Sequence, residues 1–182
     1  MSGLILLFFI CINIKIKGMK IFYIKIDEEI LNKYNRSELK NLQSKLGKYI
    51  VEYVGKTEYN LTDTSVIEEN DKPKFAKCDV QFSITHSKGI VLVAFDEYAV
   101  GVDIEYMKER DFEKFIGHYG ITAIDKIGFY TQWTELEAKI KLQWNSEWIY
   151  SQEFENNYML TITSIVKQND ILHFQQLKYN FE

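Results

Sequence analysis

AVGVDIEYM, residues 99–107, is the stretch on which the reading of this chain turns. Val100, Val102 and Ile104 alternate with Gly101, Asp103 and Glu105, the two-residue period of a strand with one face in a core. Asp103 and Glu105 then share the other face. Two carboxylates so placed repel each other unless protons or a cation reduce their charge, and a hard divalent cation is the natural partner. A third carboxylate is at hand in FYTQWTELEAKIKL (129–142), where Trp133, Glu137 and Lys141 recur every four residues and so share a helix face. Asp103, Glu105 and Glu137, completed by water and phosphate oxygens, would suit the octahedral preference of Mg²⁺. Glu137 four residues before Lys141 is also the favourable order for an intrahelical ion pair, so an ordinary solvated pair fits the same two residues.

Working outward, 80–85 and 90–95 read as two strands joined by HSKG, where Gly89 supplies the dihedrals of a tight turn and His86 and Ser87 sit at the turn. With 99–107 these predict a three-stranded antiparallel meander. Residues 20–26 read as a first strand and 27–33 as a short helix capped by Asp27. Residues 38–53, with Ser37 as N-cap, place Leu39, Leu42, Leu46, Tyr49, Ile50 and Tyr53 at steps of three and four, an amphipathic helix whose other face carries Lys40, Lys45 and Lys48. Residues 55–79 lack a sustained period and read as a connection. They hold the only proline, Pro73, which stiffens the backbone at Lys72 and makes that lysine a candidate phosphate grip. Residues 110–115 read as a short helix, 121–144 as a long one, and 148–154, 158–166 and 171–179 as three strands.

A chain of 182 residues with 46% hydrophobic residues has the material for one domain or two small lobes. The net charge of −4 argues against a broad nucleic-acid footprint, since such proteins show a basic face. Cys11 and Cys78 form no framework and no metal-ligand spacing, which fits a reducing, cytoplasmic compartment. Residues 4–16 are almost unbroken apolar sequence, yet shorter than the roughly 20 residues a membrane span needs, and they lack the basic flank and cleavage site of a secretory signal. Met19 is the expected start, with 1–18 as upstream sequence; an extra strand or a weak membrane anchor are the other readings.

Three blocks, FSITHSKG (82–89), VGVDIE (100–105) and WTELEAKIK (133–141), resemble in order and spacing the signature blocks of 4′-phosphopantetheinyl transferases of the surfactin-synthetase-activating type. DKPKF (71–75) lies where that family carries a Lys-Pro pair. The resemblance implies an α+β, pseudo-duplicated fold, with lobes 19–98 and 99–182 each packing helices on a small antiparallel sheet and coenzyme A in the cleft between them. It implies transfer of the phosphopantetheine arm of coenzyme A to a serine of an apo acyl or peptidyl carrier protein, in a monomer that needs no membrane and no nucleic acid. Asp103, Glu105 and Glu137 match the Mg²⁺ ligands, Thr85 and His86 the pair near the 3′-phosphate, Lys72 a phosphate-contacting lysine, and Lys141 one near the diphosphate. Glu137 or a metal-associated water is the candidate base, and Lys108, Arg110 and Lys114 are candidates for meeting an acidic carrier. The chain departs from the pattern at Leu136, where the family has lysine and Lys139 is a partial substitute; in LQWNSEW (142–148), where it has glycine; and at Gly120, where it has an acid. A catalytically decayed homologue that binds coenzyme A or a carrier without transfer is therefore the competing expectation.

Overall fold

A computed structural model describes residues 18–117, 119–169 and 172–181, and the expectations for residues 1–17 lie outside it. In chain order the elements are β1 (Lys20–Lys25), α1 (Glu28–Leu31), α2 (Arg36–Thr57), β2 (Val66–Glu69), β3 (Lys72–Phe75), β4 (Gln81–Ser87), β5 (Ile90–Asp96), β6 (Val100–Tyr106), a 3₁₀ turn (Phe112–Phe115), α3 (Lys126–Leu142), β7 (Trp148–Phe154), β8 (Tyr158–Ser164) and β9 (His173–Gln176). The fold is α+β, with small and mostly antiparallel sheets: one ordered β4-β5-β1-β9, one ordered β6-β8-β7, and the hairpin β2-β3.

The meander expected of β4, β5 and β6 does not form. Both edges of β5 are taken, by β4 and by β1, so β6 has no place beside it and instead pairs with β8 in the second sheet. The strand expected over 171–179 is confined to β9, which leaves the second sheet and lies parallel to β1 in the first. Alternation then sorts the side chains into layers. Val91, Val93 and Phe95 of β5 face Leu46, Ile50 and Val54 of α2, while Ile90, Leu92 and Ala94 face Val100, Val102 and Ile104 of β6. Phe129 and Tyr130 of α3 pack with Met107 and Met159 on the far side of the second sheet. The order of layers is α2, first sheet, second sheet, α3.

Local chemistry sets several boundaries differently from the sequence reading. Asn35, not Ser37, caps α2: its Oδ1 accepts from the amides of Ser37 and Glu38, and Glu38 Oε2 accepts from the Asn35 amide at 2.9 Å. Asp27 precedes α1 without a side-chain cap bond. The supposed connection at 55–79 contains the β2-β3 hairpin, whose loop residues Asn70 and Asp71 have φ of 51° and 59°, the backbone that a two-residue turn demands. In the β4-β5 turn the positive φ of 47° falls on Lys88 rather than Gly89, and His86 and Ser87 belong to β4 itself.

Two close approaches fix the second sheet in place. A Cβ on Gly101 would overlap the Ala138 carbonyl oxygen and come 2.8 Å from the Leu142 amide nitrogen, so glycine at this position is what lets α3 lie directly on β6. On the other side, β6 is an edge strand, and its outward amides would be orphans without the first sheet. Ser83, Thr85 and Ser87, alternate residues of β4, accept from the amides of Val102, Ile104 and Tyr106 at 3.2, 3.1 and 3.0 Å. A ladder of hydroxyls thus joins the sheets where a meander would have used backbone bonds. Gly101→Ala should lower the unfolding free energy by about 3 kcal/mol through overpacking against helix backbone. Ser83→Ala should lower it by about 1–2 kcal/mol by stranding a buried amide. Urea unfolding of the two variants would show that order, and Gly101→Ala with wild-type stability would refute the close approach.

Candidate functional site

The hydroxyl ladder carries the charged groups of the site. The β4-facing edge of β6 presents carbonyls as well as amides. Lys72 Nζ donates to the Val100 carbonyl at 3.1 Å, and Lys141 Nζ to the Val102 carbonyl at 3.1 Å. Two lysines, one from β3 and one from α3, therefore finish the edge that β4 begins. Lys141 also donates to Asp103 Oδ1 at 2.7 Å and to Thr85 Oγ1 at 3.3 Å, and Thr85 Oγ1 donates to the same Asp103 oxygen at 3.1 Å. The three sequence blocks thus meet in one cluster of Thr85, Asp103 and Lys141. The solvated Glu137–Lys141 pair is replaced by this helix-to-strand one, because the β6 carboxylate lies deeper and offers the ammonium a drier partner.

Asp103 is almost wholly enclosed, with 8% of its side chain exposed against 31% for Lys141. Its Oδ2 is buried and has no hydrogen-bond partner among the described residues. Burial raises the Asp103 carboxyl above the ordinary range, against the lowering pull of Lys141 and Thr85. Glu105 lies two residues along the same face, and its Oε2 accepts from Ser87 Oγ at 2.9 Å. Burial raises Glu105 first, and the charge of Asp103 raises it further. A carboxylate oxygen without a donor, beside a second carboxylate that repels it, is a donor set that a hard cation satisfies, so Asp103 and Glu105 fit a divalent metal.

Glu137 is half-buried on α3, one turn before Lys141. Among the described residues it makes no hydrogen bond or ion pair with Asp103 or Glu105, and no three His, Cys, Asp or Glu side chains there stand grouped as a metal cage. Thr85 and His86 lie on opposite faces of β4, as consecutive strand residues must. Thr85 faces the acids, while His86 shares its face with Phe82 and Ile84, which pack toward α2. Burial lowers the His86 imidazole, and the charges of Lys141 and Lys40 push the same way. Burial likewise lowers the Lys72 ammonium. Lys139, one face round from Lys141, stands 4.0 Å from Glu135 instead.

The sequence reading gave Ser83 no role and placed Ser87 at the turn. Their signal was the polar run S-x-T-x-S at 83, 85 and 87 inside a strand whose partner in the hairpin is apolar on both faces. No family model matches the chain, and no curated protein matches it.

The raised carboxyls have a consequence for stability. Folded Asp103 and Glu105 hold protons to higher pH than they do in the unfolded chain, so the native state binds more protons above the ordinary carboxylate value of about 4, and stability is lost as pH rises from there through their folded values. Replacing both, Asp103→Asn with Glu105→Gln, should flatten that slope in unfolding midpoints measured from about pH 4 to 7. An unchanged slope would clear these two acids. Lys141→Met should cost on the order of 2 kcal/mol in urea unfolding, less than a fully enclosed pair loses because Lys141 is partly solvated.

Proposed function

We propose that this chain is a Mg²⁺-dependent 4′-phosphopantetheinyl transferase, which moves the phosphopantetheine arm of coenzyme A onto a serine of an apo acyl or peptidyl carrier protein. The observation that carries the reading is the meeting of β4, β6 and α3 at one point. Three blocks far apart in sequence, each resembling a signature of that family, contribute Thr85, Asp103 and Lys141 to a single hydrogen-bonded cluster. Its layered architecture, with one long helix on the outer face of each sheet, is compatible with the pseudo-duplicated fold that the family implies.

In this reading Asp103 and Glu105 hold the metal, with Glu137 as the third ligand that the resemblance implies. When bound, Mg²⁺ neutralises and orients the diphosphate. Lys141 adds positive charge beside the same group, and Lys72 and His86 serve the remaining phosphate. The serine oxygen of the carrier forms a bond to the phosphorus that bears the pantetheine. The bond from that phosphorus to the bridging oxygen breaks, and adenosine 3′,5′-bisphosphate departs with the electron pair. The serine proton passes to a base, for which Glu137 is the protein candidate. Most of the rate would come from positioning and charge neutralisation, as in other phosphoryl transfers. The chain then works in the cytoplasm as a monomer; among the described residues no helix is long and apolar enough to cross a membrane.

Purified protein incubated with Mg²⁺, coenzyme A and a panel of apo carriers should add the mass of one phosphopantetheine to at least one carrier. Glu105→Gln should slow that transfer by about 100-fold or more. Failure on every carrier, with an established transferase succeeding in parallel, would defeat the proposal. Coenzyme A binding without any transfer would leave the decayed homologue as the better account, a reading that Leu136 in place of the family's lysine favours.

A further inference from the structure

The three rungs that β4 lends to β6 are not alike. Ser83, Thr85 and Ser87 each accept from a β6 amide, but what the hydroxyl proton can reach depends on the residue just before that amide. Before Ile104 stands Asp103, and Thr85 Oγ1 donates to its Oδ1 at 3.1 Å. Before Tyr106 stands Glu105, and Ser87 Oγ donates to its Oε2 at 2.9 Å. Before Val102 stands Gly101, which has no side chain to receive the proton of Ser83. One two-bond unit is thus built twice, two residues apart on both strands, and the remaining rung lacks its acid half.

A hydroxyl has one proton and two lone pairs, so once a lone pair takes the amide hydrogen the single proton is free to go to the carboxylate. Thr85 is used up entirely. It accepts from the Ile104 amide and from Lys141 Nζ, donates to Asp103, and is only 3% exposed. No proton is left for a phosphate oxygen, so the phosphate contact that the resemblance implies for Thr85 does not suit this arrangement. Each acid, for its part, gives one oxygen to β4 and keeps the other. Asp103 keeps Oδ2, buried and without a partner among the described residues, and Glu105 keeps Oε1. Alternation puts both side chains on one face of β6.

We propose that Thr85 and Ser87 are positioning residues for the divalent cation: each hydroxyl ties down one oxygen of a β6 carboxylate and leaves the second, Oδ2 of Asp103 or Oε1 of Glu105, as a metal ligand. The inference rests on the transferase reading for the task of the cation, not for its place. Carboxylates that ligate metals are oriented by such outer hydrogen bonds, and losing one costs about 10- to 100-fold in metal affinity. A carboxylate held in advance by its hydroxyl also loses less side-chain freedom when the cation binds.

Mn²⁺ titrated into the full chain, with and without coenzyme A, can be followed by the electron paramagnetic resonance signal of the free ion. Ser87→Ala and Thr85→Val should each bind Mn²⁺ about tenfold more weakly than wild type. Ser87→Thr and Thr85→Ser, which keep the hydroxyl, should stay near wild type. Ser83→Ala separates positioning from packing: it strands an amide of the same ladder and should lose stability, yet leave the Mn²⁺ dissociation constant unchanged. Unfolding midpoints would confirm that each variant is folded at the titration temperature. Wild-type Mn²⁺ affinity in both Ser87→Ala and Thr85→Val overturns the proposal, as does a loss in Ser83→Ala as large as theirs. If Mn²⁺ binding follows the expected pattern but no carrier is modified, the proposed function fails while the positioning role stands. Wild type that binds no Mn²⁺ in either condition overturns both.

Discussion

Among the described residues strand β6 has a backbone partner along one edge, and most of the molecule is arranged around what fills the other. An edge strand between two sheets cannot be left to water, and its free amides and carbonyls need donors and acceptors in the right order. Here side chains provide them in sequence: Lys72 for the Val100 carbonyl, Ser83 for the Val102 amide, Lys141 for the Val102 carbonyl, Thr85 for the Ile104 amide and Ser87 for the Tyr106 amide. Each bond is worth about 1 kcal/mol net, but a missing one strands a buried polar group at greater cost. The arrangement therefore fixes the register of β4 on β6 as firmly as a backbone ladder would.

The same constraint generates the charge distribution of the candidate site. Side chains that reach the edge of β6 must lie beside its outward-facing residues, so the ammonium that satisfies Val102 arrives next to Asp103 as a matter of geometry. Gly101 keeps α3 close enough for Lys141 to reach both. A long helix pressed on a strand that bears two acids concentrates their desolvation, which is why burial leads the causes that raise Asp103 and Glu105. Structural support and functional potential are here one set of bonds. A ligand that engaged Lys141 or Lys72 would compete with the carbonyls those residues now serve.

Much of the fold was legible because local periodicity is a short-range property. The alternation of Val100, Val102 and Ile104 against Asp103 and Glu105 correctly placed the acids on one face, and the apolar spacing of Leu46 and Ile50 correctly placed α2 on a core. The errors occurred where several residues of one type competed or where a signal was two residues long. Asn35 outcompetes Ser37 as a cap because Glu38 closes a reciprocal box with it. The β2-β3 hairpin was hidden because residues 55–79 show no sustained period and the turn is marked by Asn70 and Asp71 alone; Pro73 is tolerated because both strands of the ribbon are edges among the described residues.

The amino-acid sequence by itself determined which residues alternate, which helix faces are apolar, and that Asp103, Glu105 and Lys141 were candidates for one site. The tertiary structure alone decided which partner each group found. Whether β6 extended the first sheet or began a second depended on β1 occupying the free edge of β5, a pairing that bridges some seventy residues and leaves no local trace. Whether Lys141 met Glu137 on its own helix or Asp103 across the interface depended on how near α3 could approach β6, which a glycine on a different element controls. Contacts of that kind are set by packing distance, and packing distance is not written in the period of any single segment.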